Sequence, residues 1–226
     1  MILRKGPMMR IEAIVFDLDG TLIDSIDAHV VSWMEAFRTH GFTYVKYRDV
    51  ENLIGLPGTT ITERLLGPRA MKIYDSIRKS KDEVFMNLLN NVKLYPHTKE
   101  VLSELKIYGV KIALASSTAS HIVNKILRML KLNNVFDAII TGDMVKEGKP
   151  HPEIFIKAFN ALAINPRRGI VVGDTEYDII PAKLIGSIAV LILHGRSKAL
   201  LSSKPDYIIN ELPELLELYK KLSRNG

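Results

Sequence analysis

Short apolar runs recur along this chain, and the stretches between them repeat hydrophobic residues every three or four positions. The runs Ala13 to Phe16, Val110 to Ala115, Phe136 to Ile140, Gly169 to Val172 and Ile188 to Leu193 each predict a strand, with Tyr207 to Ile209 a short edge strand. A continuous apolar run bounded by turn residues suits a parallel strand covered on both faces. From Tyr95 onward amphipathic helices fall between the strands. Val101, Leu102, Leu105 and Tyr108 mark the face of one, which Gly109 closes. Ile122, Val123, Ile126, Leu127 and Leu130 mark the next, and Ile154, Phe155, Ala158, Phe159 and Leu162 a third. A helix from about Tyr177 to Ile185 and a last one on Leu212, Leu215, Leu216, Tyr219 and Leu222 complete the alternation. This pattern predicts an α/β fold built on a doubly wound parallel sheet.

One stretch breaks the alternation. From Asp24 to Lys93 the pattern is helical without any clear strand: Ala28, His29, Trp33 and Phe37, then Leu65, Met71, Ile77, Val84 and Leu88. A strand-to-helix connection normally takes a few residues, so about seventy predict an inserted α-helical subdomain, a cap. Gly41, Gly55-Leu56-Pro57-Gly58 and Gly67-Pro68 divide it into three to five helices. The expected organisation is a core of residues 11–23 and 94–226, the cap at 24–93, and a disordered basic extension at 1–10.

Composition narrows the function classes. The 226 residues are 47% hydrophobic and 25% charged, ordinary for a soluble globular protein. No apolar run approaches the roughly 18 residues of a membrane span, and the start lacks the apolar stretch of a signal peptide, so a cytoplasmic protein is expected. With no cysteine, disulfides, thiolate metal sites and cysteine nucleophiles are excluded. The six histidines are scattered, with no pair at metal-ligand spacing on one helix, so any metal is expected to be a hard cation held by oxygen.

The net charge of +6 raises the question of nucleic acid. Arg4, Lys5 and Arg10 supply +3 in the first ten residues; 24–93 carries ten basic against nine acidic residues, and the remainder 18 against 16. Half the excess sits in the extension, where Met8 and Met9 are alternative starts, and the rest is dispersed. That argues for a solvated surface rather than a nucleic-acid groove.

The candidate chemistry gathers at strand ends. Asp17-Leu18-Asp19-Gly20-Thr21 directly follows the first strand, which places two carboxylates at the carboxyl end of a parallel sheet, where ligands bind. Further polar residues follow later strands: Ser116-Ser117-Thr118, Lys149 within Gly148-Lys149-Pro150, and Asp174 within Gly173-Asp174-Thr175. An EF-hand is excluded, because its twelfth position needs Glu and here holds Ala28. Singly, Ser116 would suit a turn, Lys149 a surface and Asp174 a helix cap.

In this order the four motifs resemble those of the haloacid dehalogenase-like phosphohydrolase superfamily, over about Ile11 to Leu222. The resemblance implies a magnesium-dependent phosphatase of small phosphorylated metabolites. Asp17 would be the nucleophile that forms an aspartyl-phosphate, and Asp19 the general acid and base. The Asp17 carboxylate, the Asp19 main-chain carbonyl and the Asp174 carboxylate would hold Mg2+. Gly20, Thr21, Ser116, Ser117 and Lys149 would bind the phosphoryl group. The second aspartate argues against carbon–halogen cleavage, since the dehalogenase branch lacks it. Asp178 is open between supporting the metal site or Lys149 and lying on a helix surface.

His29 is likewise open between core packing and the site mouth. Its segment, Ala28 to Trp33, resembles the histidine-bearing helix of β-phosphoglucomutases, whereas Gly173-Asp174-Thr175 with Asp178 resembles the phosphatase pattern. The turn Gly55 to Gly58 is open between specificity loop and connector, and Arg64, Arg69, Lys72 and Arg78 are candidate readers of substrate charge. The nearest expectation is a phosphoglycolate-phosphatase-like enzyme, monomer or homodimer; the alternatives are a phosphosugar mutase and a non-catalytic binding protein on the same scaffold.

Overall fold

The computed structural model describes residues 10–196 and 202–224; the basic extension expected at 1–10 lies outside them except for the exposed Arg10. Six strands, β1 (Ala13–Phe16), β4 (Lys111–Ser116), β5 (Ala138–Thr141), β6 (Gly169–Gly173), β7 (Ile188–Ile192) and β8 (Tyr207–Ile209), form one sheet. Their order is β5-β4-β1-β6-β7-β8 and every pairing is parallel. β1 lies at the centre, and the chain builds outward from it first on one side and then on the other. The crevice at its carboxyl end is therefore the topological switch point, where doubly wound sheets bind ligands.

Alternation along each strand divides the core in two. Ile14, Phe16, Ile112, Leu114, Ile170 and Val172 pack with α5 (Thr98–Ile107), α6 (Ser120–Met129) and α9 (Leu212–Arg224). Ala13, Val15, Ala113, Ala115 and Val171 face the other way, against α7 (Glu153–Leu162) and α8 (Glu176–Leu184). The small side chains on that second face leave room for Phe155 and Phe159, both fully buried, each worth roughly 1.5–3 kcal/mol relative to exposure. α5 ends as expected at Gly109: φ is +75°, Gly109 N–H donates to Lys106 and Val110 N–H to Leu105, a Schellman closure. Tyr108 departs from expectation, being the cap residue and partly exposed rather than part of the buried face.

The helical insertion comprises α1 (Ile26–Thr39), α2 (Tyr47–Glu51), α3 (Gly58–Leu66) and α4 (Tyr74–Leu88). Its own core includes Val30, Trp33, Phe37, Val50, Ile54, Ile61 and Ile77. Two expectations need correction. The insertion is bounded by a two-stranded antiparallel ribbon, β2 (Ile23–Asp24) with β3 (Lys93–Leu94), so its ends are clamped together. Two residues per strand are too few to carry a period. The buried stripe of α4 and its following turn is Ile77, Lys81, Phe85 and Leu89, not Ile77, Val84 and Leu88. A buried lysine interrupted the apolar pattern. Among the described residues no helix is long and apolar enough to cross a membrane.

Candidate active site

Asp17 follows β1 directly, and its main-chain N–H donates to Val172 of β6, which anchors the start of the loop to the sheet. The chain then turns so tightly that Gly20 N–H donates to Ile23 and Leu22 N–H to Leu18. Gly20 has φ +82°, and a Cβ there would lie 2.3 Å from Asp174 Oδ2. Only glycine satisfies both the left-handed backbone and this close approach.

The predicted residues converge. Lys149 is 1% exposed and its ammonium meets Asp17 Oδ1 at 2.5 Å, Asp178 Oδ1 at 2.7 Å and the Ala115 carbonyl at 3.0 Å. Three acceptors occupy its three N–H donors. Asp178 therefore faces the site, not the outer surface of α8. Its second oxygen accepts from the Thr175 hydroxyl at 3.0 Å and the Thr175 N–H at 3.3 Å, a capping box at the start of α8. The N-cap is thus Thr175, which frees the Asp174 side chain for the crevice.

Asp19 forms a second centre. Oδ1 accepts from Ser25 at 2.7 Å and lies 2.9 Å from His29 Nε2; Oδ2 accepts from Thr118 at 2.9 Å and Ser116 at 3.3 Å. His29 stacks on Phe85 with ring centroids 4.0 Å apart, so it both packs against a buried ring and contacts the site. The Ser117 hydroxyl donates to the Gly55 carbonyl of the insertion at 2.9 Å, whereas the phosphoryl contact expected of this residue is that of its main-chain amide. The Thr21 hydroxyl reaches only toward Asp174 Oδ1, at 3.5 Å.

Burial pushes Asp17 well above its usual carboxylate value, Lys149 pulls against that, and Asp178, Asp174 and Asp19 add to the rise. Asp174 is pushed up to about 7 by burial, with Arg196 opposing. Burial would also raise Asp19, but His29 and the hydroxyls of Ser25 and Thr118 outweigh it and hold Asp19 below its ordinary value. Burial holds His29 down, with Asp19 opposing and Lys81 adding to the effect, and Nε2, facing a carboxylate, carries the proton of that contact. Lys149 stays charged: burial opposes its proton, but Asp17 and Asp178 more than compensate.

Carboxylate oxygens of Asp17, Asp174 and Asp178 lie within 4.8 Å of one another. Four carboxylates, counting Asp19, stand beside only two permanent cations among the described residues: Lys149 meets Asp17 and Asp178, Arg196 meets Asp174, and Asp19 meets neither. An all-oxygen cluster short of positive charge fits a hard divalent ion. The clustered trio includes Asp178, where the sequence reading had the Asp19 main chain.

A cleft of about 860 Å³ opens above these groups. Asp17, Asp19 and Lys149 lie on its floor, and Trp33, Gly55 to Ile61, Tyr74, Arg78 and Lys81 line the side formed by the insertion. Of the four candidate charge readers only Arg78 lines it. Ser25, Thr118, Lys81 and Arg196 escaped the sequence reading. Thr118 adjoins the strand end already singled out and Arg196 follows another, so strand-end position was the available signal. Lys81, in Arg78-Lys79-Ser80-Lys81, looked like part of a solvated face.

A parallel sheet whose central strand delivers paired carboxylates to a buried lysine and to hydroxyl donors suits a hydrolase of the phosphatase class. The haloacid dehalogenase-like hydrolase family model matches residues 14–192, and the chain belongs to that family. It is 30% identical over 220 residues to pyrophosphatase PpaX of Bacillus cereus (strain B4264), covering 96% of this chain and all of that one. Among solved structures it resembles a predicted phosphoglycolate phosphatase from Haemophilus somnus 129pt, with a TM-score of 0.81, 25% identity, and coverage of 93% and 99% of the two chains. β-Phosphoglucomutase from Clostridium difficile shares the fold, with a TM-score of 0.83, 23% identity, and coverage of 95% and 97%.

Proposed function

We propose that this phosphatase hydrolyses small phosphorylated metabolites through an aspartyl-phosphate on Asp17. The observation that carries the reading is the division of labour between two neighbouring carboxylates. Asp17 is bound by a lysine at 2.5 Å, whereas Asp19 is surrounded by hydroxyl and imidazole donors. The lysine opposes the burial that raises Asp17 and so favours its anionic form for attack, while the other carboxylate is set among proton carriers. In the first step an Asp17 oxygen bonds to phosphorus, the ester P–O bond breaks, and Asp19 gives its proton to the leaving oxygen. In the second, Asp19 takes a proton from water as that water attacks phosphorus, and the bond to Asp17 breaks. An approaching phosphate dianion raises the proton affinity of Asp19, offsetting the donors that hold it down in the empty site.

Asp17, Asp174 and Asp178, with the Asp19 main chain, would hold Mg2+, which supplies charge neutralisation at the phosphoryl oxygens. Ser116 donates to Asp19 here and would turn to a phosphoryl oxygen, and the charge of Lys149, held beside Asp17, would offset that of the phosphoryl group. The helical insertion at 24–93 acts as a cap over the core at 11–23 and 94–226, excluding bulk water and selecting substrate.

The substrate panel follows from the relatives: inorganic pyrophosphate, phosphoglycolate, hexose phosphates, nucleotides and an aryl phosphate, each with Mg2+ or EDTA. Mg2+-dependent phosphate release that Asp17→Asn abolishes supports the reading, and the best kcat/KM nominates the substrate. Absence of release from every compound by folded protein refutes it. The contact between His29 and Asp19 favours one second reading, a phosphosugar mutase, and conversion of β-glucose 1-phosphate to glucose 6-phosphate without net phosphate release would establish that instead.

A further inference from the structure

Arg196 has no part in the chemistry above, yet it touches two of that site's loops. The turn after β7 is tied to the sheet by Leu193 N–H to Ile209 and His194 N–H to Asn210, and it reverses at Gly195 with Arg196 N–H donating to Leu193. His194 stacks on Tyr95 with centroids 3.5 Å apart and its Nε2 lies 2.9 Å from the Thr21 carbonyl. Arg196 then reaches inward. Nη2 donates to the Gly20 carbonyl at 2.8 Å, and Nη1 lies 3.1 Å from Asp174 Oδ2. The arginine side chain is 42% exposed and the aspartate 4%, so the guanidinium enters from solvent and covers a buried carboxylate.

This pairing places a permanent cation on a carboxylate of the Asp17, Asp174 and Asp178 cluster. Among the described residues Asp174 Oδ1 has only the long contact from Thr21 at 3.5 Å, and Arg196 supplies the main compensation for that charge. A divalent ion in the cluster would face the guanidinium at short range, with both drawn to one carboxylate.

We propose that Arg196 is a resident counter-cation that holds Asp174 while the cluster carries no divalent ion and competes with that ion for the carboxylate. The proposal rests on reading the cluster as a cation site. Removing the guanidinium then raises affinity for a divalent ion, although the cation-free protein loses a counter-charge. A residue that merely orients Asp174 has the opposite signature, because its loss weakens binding. Partial exposure screens the repulsion, and we set the expected effect at about tenfold in Kd, about 1.4 kcal/mol.

The test is calorimetric titration of the metal-stripped full chain with Mn2+ alone, on wild type, Arg196→Gln, Arg196→Lys and Asp174→Asn, with melting temperatures alongside. Arg196→Gln is expected to bind Mn2+ more tightly, to melt lower without it, and to gain more Tm on its addition. Arg196→Lys keeps the charge and is expected to stay closer to wild type. If wild type binds, Asp174→Asn does not, and Arg196→Gln binds equally or more weakly, the counter-cation proposal fails while the cation site stands. If wild type does not bind, or Asp174→Asn binds as wild type does, the cation site and the proposal fail together.

Discussion

Replacing Lys149 by Met keeps a linear apolar stem in the same slot and removes only the ammonium. The group lost is 1% exposed and saturated by Asp17, Asp178 and the Ala115 carbonyl. Two buried carboxylates then lose their shared counter-charge, and breaking a buried pair in this way costs about 3–5 kcal/mol. Part of that cost is recoverable by protonation. Asp17 is already pushed up by burial in the wild type, and without Lys149 it rises further. A carboxyl raised in the folded state contributes stability that is present below its unfolded value of about 3.9 and lost as pH rises through the folded value. The destabilisation relative to wild type should therefore grow with pH, from about 1–2 kcal/mol at pH 5 to the full 3–5 kcal/mol at pH 8. Urea unfolding of both proteins in EDTA at the two pH values measures it. Adding Asp178→Asn to Lys149→Met removes one of the stranded charges and should restore about 1 kcal/mol or more at pH 8. A penalty below about 1 kcal/mol, or one that does not change with pH, would refute the claim that this lysine compensates buried charge.

Three further outcomes follow from the same geometry. Asp17→Asn should lower phosphate release by at least about 10³-fold while leaving the far-ultraviolet circular dichroism unchanged, since the amide fills the same space but is a poor nucleophile. Gly20→Ala should cost about 1–3 kcal/mol by urea unfolding, and it should weaken Mn2+ binding as well, because its Cβ would lie 2.3 Å from Asp174 Oδ2; unchanged binding would show that Asp174 is not a ligand. Asp174, pushed up to about 7, lies above its unfolded value, so the cation-free protein should lose stability as pH rises from about 6 to 8. Saturating Mg2+ should flatten that loss in a melting-temperature series, and a slope that persists would assign it to another group.

Several elements were readable because their cause is local. β1, β4, β6 and β7 carry continuous apolar runs, since helices cover both faces of the sheet. The turn at Asp17 to Thr21 was readable because a glycine must stand where φ is +82°. Lys149 and Asp174 could be matched to motifs in order along the chain, and the structure gives them partners at 2.5 Å and 3.1 Å. Strand ends slipped by a residue or two, as at β5, where Asp137 N–H donates to the Ile112 carbonyl but its carboxylate, not its carbonyl, takes the Ile112 N–H, and the ladder starts at Ala138.

The sequence by itself determined the layers, the helical run between β2 and β3 and the strand ends that bear polar residues, because periodicity and turn residues act over a few positions. Only the tertiary structure decided which groups share charge. Lys149 meets Asp17 across 132 positions and Thr118 meets Asp19 across 99, distances closed by the strand order around β1. It also turned Asp178 toward the lysine, seated His29 between Phe85 and Asp19, and buried Lys81 within an apolar stripe. Arg196 belongs with these. A guanidinium on a loop has no periodicity to betray it, and its place on Asp174 exists only once β6 and β7 lie side by side.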